Sequence, residues 1–147
     1  MTATNQTEDD LLDLLFTNVD APNWGDAAGL QNSAAAGSLY ISLHTATLVE
    51  ADVAQNDTEA AYTSYARQAV TRSTGGWTVA SGTVDNDSAI TYPTATGGSE
   101  TETDFGIGSA LSGAGYLFIF GALTSSLAVS NGITPEFAAG ALDISLN

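Results

Sequence analysis

Gly115-Tyr116-Leu117-Phe118-Ile119-Phe120-Gly121-Ala122-Leu123 decides how the rest of this chain reads. Its large apolar residues run from Tyr116 to Phe120 without a polar break, between two glycines. A helix needs roughly 20 apolar residues to cross a bilayer, so this run is too short to span one. It is rich in aromatic and branched residues. Ser112-Gly113-Ala114 stands before it as a turn signal, and Thr124-Ser125-Ser126 follows it. That combination predicts a β-strand buried on both faces. Such a strand needs a second layer over it, so the expected fold is all-β, an antiparallel sandwich with this strand at its centre.

Working outward, short strand patterns recur. Leu39, Ile41 and Leu43 alternate with Tyr40, Ser42 and His44, the two-residue period of a half-buried strand over 38–44. Further strands are expected over 62–71, 77–80, 88–93, 100–107, 127–129 and 141–146. Turns are expected at Gly75-Gly76, at 84–87 and at Ser130-Asn131-Gly132. Glu100, Glu102 and Asp104 occupy alternate positions, which predicts one wet face for their strand. Eight or nine short strands at spacings of roughly 10 residues fit a β-sandwich.

Ahead of them lies a different pattern. Residues 1–7 are polar and expected to fray. Thr7 can cap a helix from Glu8 to about Asn18, with Glu8, Asp9 and Asp10 at the positive end of its dipole. Leu11, Leu12, Leu15 and Phe16 share one face of it, which suits either a plug over the β structure or a partner contact. Residues 21–26 read as a turn-rich loop, with Trp24 either folded back on the body or part of an interface. Residues 27–37 read as an extended loop of small side chains. The expected division is therefore a helix and extended arm over 1–37 and a β-sandwich domain over 38–147.

Composition limits function. The chain has 147 residues, enough for one domain. No segment is apolar enough to span a membrane as a helix, and the first residues lack the basic and apolar regions of a signal peptide. Cysteine is absent, so disulfide and thiolate chemistry are excluded. Seventeen acids face two bases, Arg67 and Arg72, for a net charge of -15. Nucleic-acid affinity comes largely from Lys and Arg on phosphates, so no nucleic-acid partner is expected, and no anionic membrane surface either. The acidity reads as a general solubilising surface or as a match for a basic partner. Hydrophobic residues at 44% and charged residues at 13% allow a core and rule out the disorder signature.

Chemistry is sparse. His44 is the one histidine and stands at a strand end, where a hydrogen bond to a neighbour accounts for it. A Ser-His-Asp set could be assembled from many serines, but no nucleophile elbow exists. Asp85-Asn86-Asp87 and Glu100/Glu102/Asp104 offer oxygens to Ca²⁺, yet neither has EF-hand spacing, and both read as solvated faces. Without lysine no phosphate loop of the Walker type can form. Each arginine is expected to find a carboxylate. For Arg67, which shares a strand face with Tyr65 and Ala69, an internal bidentate pair and an inter-subunit contact both remain open. The candidate interface residues are Leu11, Leu12, Leu15, Phe16, Trp24, Arg67 and Arg72. No catalytic residue, cofactor or metal ligand is assigned.

Four stretches carry a resemblance. They are Leu39-Tyr40-Ile41-Ser42-Leu43-His44-Thr45-Ala46, Tyr65-Ala66-Arg67-Gln68-Ala69-Val70-Thr71, Phe105-Gly106-Ile107 leading into Leu117–Leu123 with its Gly-Ala-Leu-Thr ending, and Ala139-Gly140-Ala141-Leu142-Asp143-Ile144-Ser145-Leu146. In order and spacing, over about residues 36–147, they resemble small tailed-phage structural proteins often labelled "phage tail fiber protein". The resemblance implies a non-enzymatic virion component. The chain has no repeat, heptad or β-helical period that would build a long shaft. The expectation is a capsid decoration (cement) protein that binds the major capsid protein as a homo-oligomer, with a trimer in view. A tail-tip or fibre-base adaptor is the alternative. A carbohydrate-binding attachment module using Trp24, Trp77 and Tyr92 is a third.

Overall fold

The computed structural model describes residues 3–25 and 29–146. Among these residues, a short helix and a helical turn precede nine strands, mostly in antiparallel sheets, a mainly β architecture consistent with a sandwich. The chain forms two compact units. One comprises residues 1–38, 71–90 and 137–147, the other residues 39–70 and 91–136. The expectations for Met1, Thr2, Asp26, Ala27 and Ala28 lie outside the described residues.

In the first unit, helix α1 covers Asn5–Leu12 and continues as a wider π turn over Asp13–Thr17. It starts earlier than expected because Thr4, not Thr7, is the cap: the Thr4 hydroxyl accepts from the Thr7 N–H at 3.4 Å. It ends at Asn18, whose left-handed φ of 58° stops the turn, while Val19 N–H donates to Asp13 O. Strands β3 (Trp77–Ala80) and β4 (Thr83–Asn86) form a hairpin, and β9 (Ile144–Ser145) adds to β4. The expected turn at 84–87 is instead strand. The reversal falls at Ser81-Gly82, both at positive φ, the backbone of a two-residue hairpin turn. Asp9 Oδ1 accepts from Gly82 N–H at 2.6 Å, and a Cβ on Gly82 would strike the Glu8 carboxylate. Leu12, Phe16, Trp77, Val84, Leu142 and Ile144 form the core here, with the Phe16 ring edge-on to Trp77 at 4.8 Å.

The second unit holds most of a four-stranded sheet of order β2–β1–β6–β7. Its strands are β1 (Ser38–His44), β2 (Gln68–Thr71), β6 (Ser99–Gly108) and β7 (Leu117–Ser130). A short pair, β5 (Ile90–Thr91) with β8 (Glu136–Phe137), completes the strands. Strand β1 has the expected bounds and pairs antiparallel with β6, Ile41 facing Ile107 and Leu43 facing Phe105. Strand β2 is shorter than the expected 62–71, because the chain bends at Ser64 (φ 87°) and Tyr65 N–H closes a turn on Tyr62 O.

Two expectations about this sheet are overturned. The Gly115–Leu123 segment is a strand from Leu117 on, but it lies at the sheet's edge. Leu117 and Val129 are buried within β7, while Phe118 is exposed and Ile119 to Gly121 are only half-buried. Its apolar composition marks a strand; it does not mark a strand covered on both sides. The expected separate strand 127–129 is the far end of β7. Residues 123–126 bulge out opposite Thr103, and pairing resumes at Leu127 opposite Glu102. The second correction concerns the acids. Glu102 and Asp104 point inward, at 0% and 2% exposure, and the small Thr101 and half-buried Thr103 take the outer positions.

Candidate interaction surface and buried polar framework

Both arginines and the single histidine are engaged by internal hydrogen bonds, Arg67 and His44 buried and Arg72 half-buried. Arg67 forms a fork with Glu59, Nε to Oε1 at 2.6 Å and Nη2 to Oε2 at 2.7 Å. Its remaining donors reach Ala110 O, Gly113 O and Gln55 Oε1 at 2.8, 2.7 and 3.2 Å. Tyr65 donates its hydroxyl proton to Glu59 at 2.9 Å. The pairing left open from sequence is thus internal to the chain: it ties the loop at 55–59 to the turn that precedes β7. Burial, and then the Glu59 charge, push the Tyr65 phenol well above its ordinary value.

Arg72 does not find a carboxylate. Its Nε and Nη2 donate to Leu15 O and Leu14 O, both at 2.6 Å, and Nη1 donates to Ala36 O at 3.1 Å. These are orphan carbonyls at the end of the helical segment, where a cation also complements the dipole.

His44 lies next to Ser42 in a way the sequence only permitted. Its Nδ1 faces Asp57 O at 2.7 Å, so Nδ1 carries the proton and Nε2 accepts from Ser42 Oγ at 2.8 Å. Desolvation by burial lowers the imidazole pKa, outweighing the Asp57 carbonyl, and keeps the ring neutral. A serine bonded to a neutral, oriented histidine is the geometry of a nucleophile and its base. Both side chains are fully buried, however, and Gln55 Nε2 closes over Ser42 Oγ at 3.5 Å. Two glycines make the room. A Cβ on Gly106 would sit 2.7 Å from His44 Nε2 and 2.8 Å from Leu117 Cδ1 and Ser42 Oγ, and a Cβ on Gly108 would strike the Gln55 amide.

Glu102 is the exception in this framework. Among the described residues neither of its carboxylate oxygens has a hydrogen-bond partner. Burial, and then the neighbouring Glu100 charge, raise it to about 8, so it holds a proton at neutral pH. Glu100 accepts from the N–H groups of Ala61 and Tyr62 at 2.9 and 2.7 Å. Burial, and then the charges of Glu102 and Glu100, push Tyr62 up to about 12.

The remaining sequence candidates separate into two groups. Leu12 and Phe16 are core residues. Leu11, Leu15 and Arg72, with Leu12, Leu14 and Leu146, line an apolar groove of about 340 Å³ in the first unit. Trp24 is folded back: its indole N–H donates to Asp10 Oδ2 at 3.2 Å. Trp77 and Tyr92 are buried. The Ca²⁺ candidates also turn inward or pair. Asn86 donates to Ala138 O at 2.9 Å and accepts from Leu142 N–H at 2.9 Å, pinning the last segment, and Asp87 accepts from Thr78.

The surface that sequence reasoning missed lies at the start of β7. Tyr116 and Phe118 are 57% and 41% exposed, their rings 5.3 Å apart. Val53, exposed as well, adjoins them through Leu117 N–H to Val53 O at 3.0 Å. The signal was present in the apolar run; its outward direction was not.

Comparison with known proteins adds one match. A family model described as Podophage GP4 fiber I protein gp80 matches residues 2–145. No curated protein matches the chain significantly.

Proposed function

Because the chain belongs to the Podophage GP4 fiber I protein gp80 family, we propose that it is a non-catalytic structural subunit of a phage particle, built into the fibre assembly at its base. The observation that carries this reading is where the reactive groups are. Ser42, His44, Arg67 and Glu59 form one hydrogen-bonded framework that holds loop 48–62 and the turn before β7 on the sheet. Buried groups of this kind position backbone; they do not meet a substrate. A fibre family also suggests a structural and not an enzymatic role.

What supports a fibre-base placement is the family's description as a fiber protein, together with the absence of a shaft-forming repeat in the sequence. Capsid decoration is the second reading. What favours it is the same lack of a shaft, joined to an acidic surface suited to a basic lattice. The carbohydrate-module reading loses its stacking faces, since Trp77 and Tyr92 are core residues and Trp24 is bonded to the helix. Immunogold labelling of intact particles separates these. Gold at the tail supports the fibre-base reading. Gold spread over the head replaces it with decoration, and particles without label refute a virion role.

A further inference from the structure

We propose that the Phe118–Ala122 stretch of the β7 edge is a homotypic interface, where one chain pairs with the same strand of a second copy. Strand β7 ends the order β2–β1–β6–β7; Leu117 N–H is taken by Val53 O at 3.0 Å, and beyond it alternate backbone N–H and C=O groups face away from β6. Edge strands are usually blunted by charge or proline. Here neither is present: no Asp, Glu, His, Lys or Arg occurs between Phe105 and Pro135, and no proline occurs within β7. The bulge at 123–126 blunts only the far half. The near half carries the exposed Tyr116 and Phe118, with Val53 and Leu111, each 58% exposed, on the flanking loops.

Charge selects the occupant. With 17 acids and both arginines engaged internally, two copies repel wherever acids face each other. They can approach at a strip without charge. A cationic partner would be drawn to the acids and gain nothing from this strip. Antiparallel pairing of a strand with itself is also self-complementary about a two-fold axis.

This inference goes beyond placement in the particle and is tested on the isolated chain, so its failure leaves the fibre assignment standing. Sedimentation velocity is run on the wild type at low and high salt, and on Phe118→Glu and Tyr116→Glu. Both substituted side chains are exposed, and circular dichroism melts verify that each variant folds. The expected result is a wild-type multimer that strengthens with salt, as screening relieves repulsion. Either glutamate weakens association by about tenfold or more, because it places like charges face to face. A wild type that is monomeric at both salts, an assembly that salt dissolves, or folded variants that assemble like wild type would overturn the proposal.

Discussion

Glu102 offers the sharpest test of the core, through Glu102→Gln. In the folded chain this carboxyl titrates at about 8 against an ordinary value of 4.5, because burial and then Glu100 oppose its charge. Between those two values the unfolded chain has released its proton while the folded chain keeps it. Stability therefore falls as pH rises through this window, by about 1.4 kcal/mol per pH unit from this group. Across the window the loss is on the order of 4 kcal/mol. Glutamine is neutral throughout, so whatever its amide costs inside the sheet is independent of pH. The variant's advantage over wild type should thus grow from about pH 5 to about pH 8, reaching on the order of 10 °C in Tm for a chain of this size. Thermal melts by circular dichroism across this range measure it. The two proteins share every other group, so the difference between the two curves is the quantity to read. Parallel curves would refute a buried, protonated Glu102.

Three other outcomes follow from the same framework. Arg67→Ala leaves the half-buried Glu59 without its fork and should cost about 3 kcal/mol in chemical denaturation, with Arg67→Lys recovering little because an ammonium cannot make the two parallel bonds; a loss under about 1 kcal/mol would contradict this. Gly106→Ala brings a methyl against His44, Ser42 and Leu117 and should cost about 1–3 kcal/mol or more, whereas Gly75→Ala, with nothing nearer than Ser73 Oγ at 3.9 Å, should be close to neutral. Arg72→Ala uncaps the carbonyls of Leu14 and Leu15 and should cost about 1–2 kcal/mol, read as a drop in Tm.

What was legible in the chain was periodicity, and what was not was direction. The alternation of Leu39, Ile41 and Leu43 located β1 to the residue, because an apolar set two apart has one stable arrangement. Glu102 and Asp104 obey the same period, yet the period alone does not say which face turns inward. Their burial rests on protonation in one case and, in the other, on the Leu48 N–H that Asp104 accepts at 3.4 Å. These are tertiary facts. The run at Tyr116–Phe120 illustrates the same limit: a strand covered by its own chain and one left open for another chain have the same composition. Arg67 was recognised as the residue of a bidentate pair; its partner Glu59, on a loop eight residues earlier, was not identifiable among so many acids. Ser42 beside His44 was visible as an i, i+2 pair on one strand face, and only the structure shows it sealed.

The central claim is that this chain is a building block of the particle. Cryo-microscopy of the intact phage tests it most directly. The account predicts ordered density for this fold at the tail, in copies that meet along β7. Complete density for the tail and head with no place for this fold would contradict it.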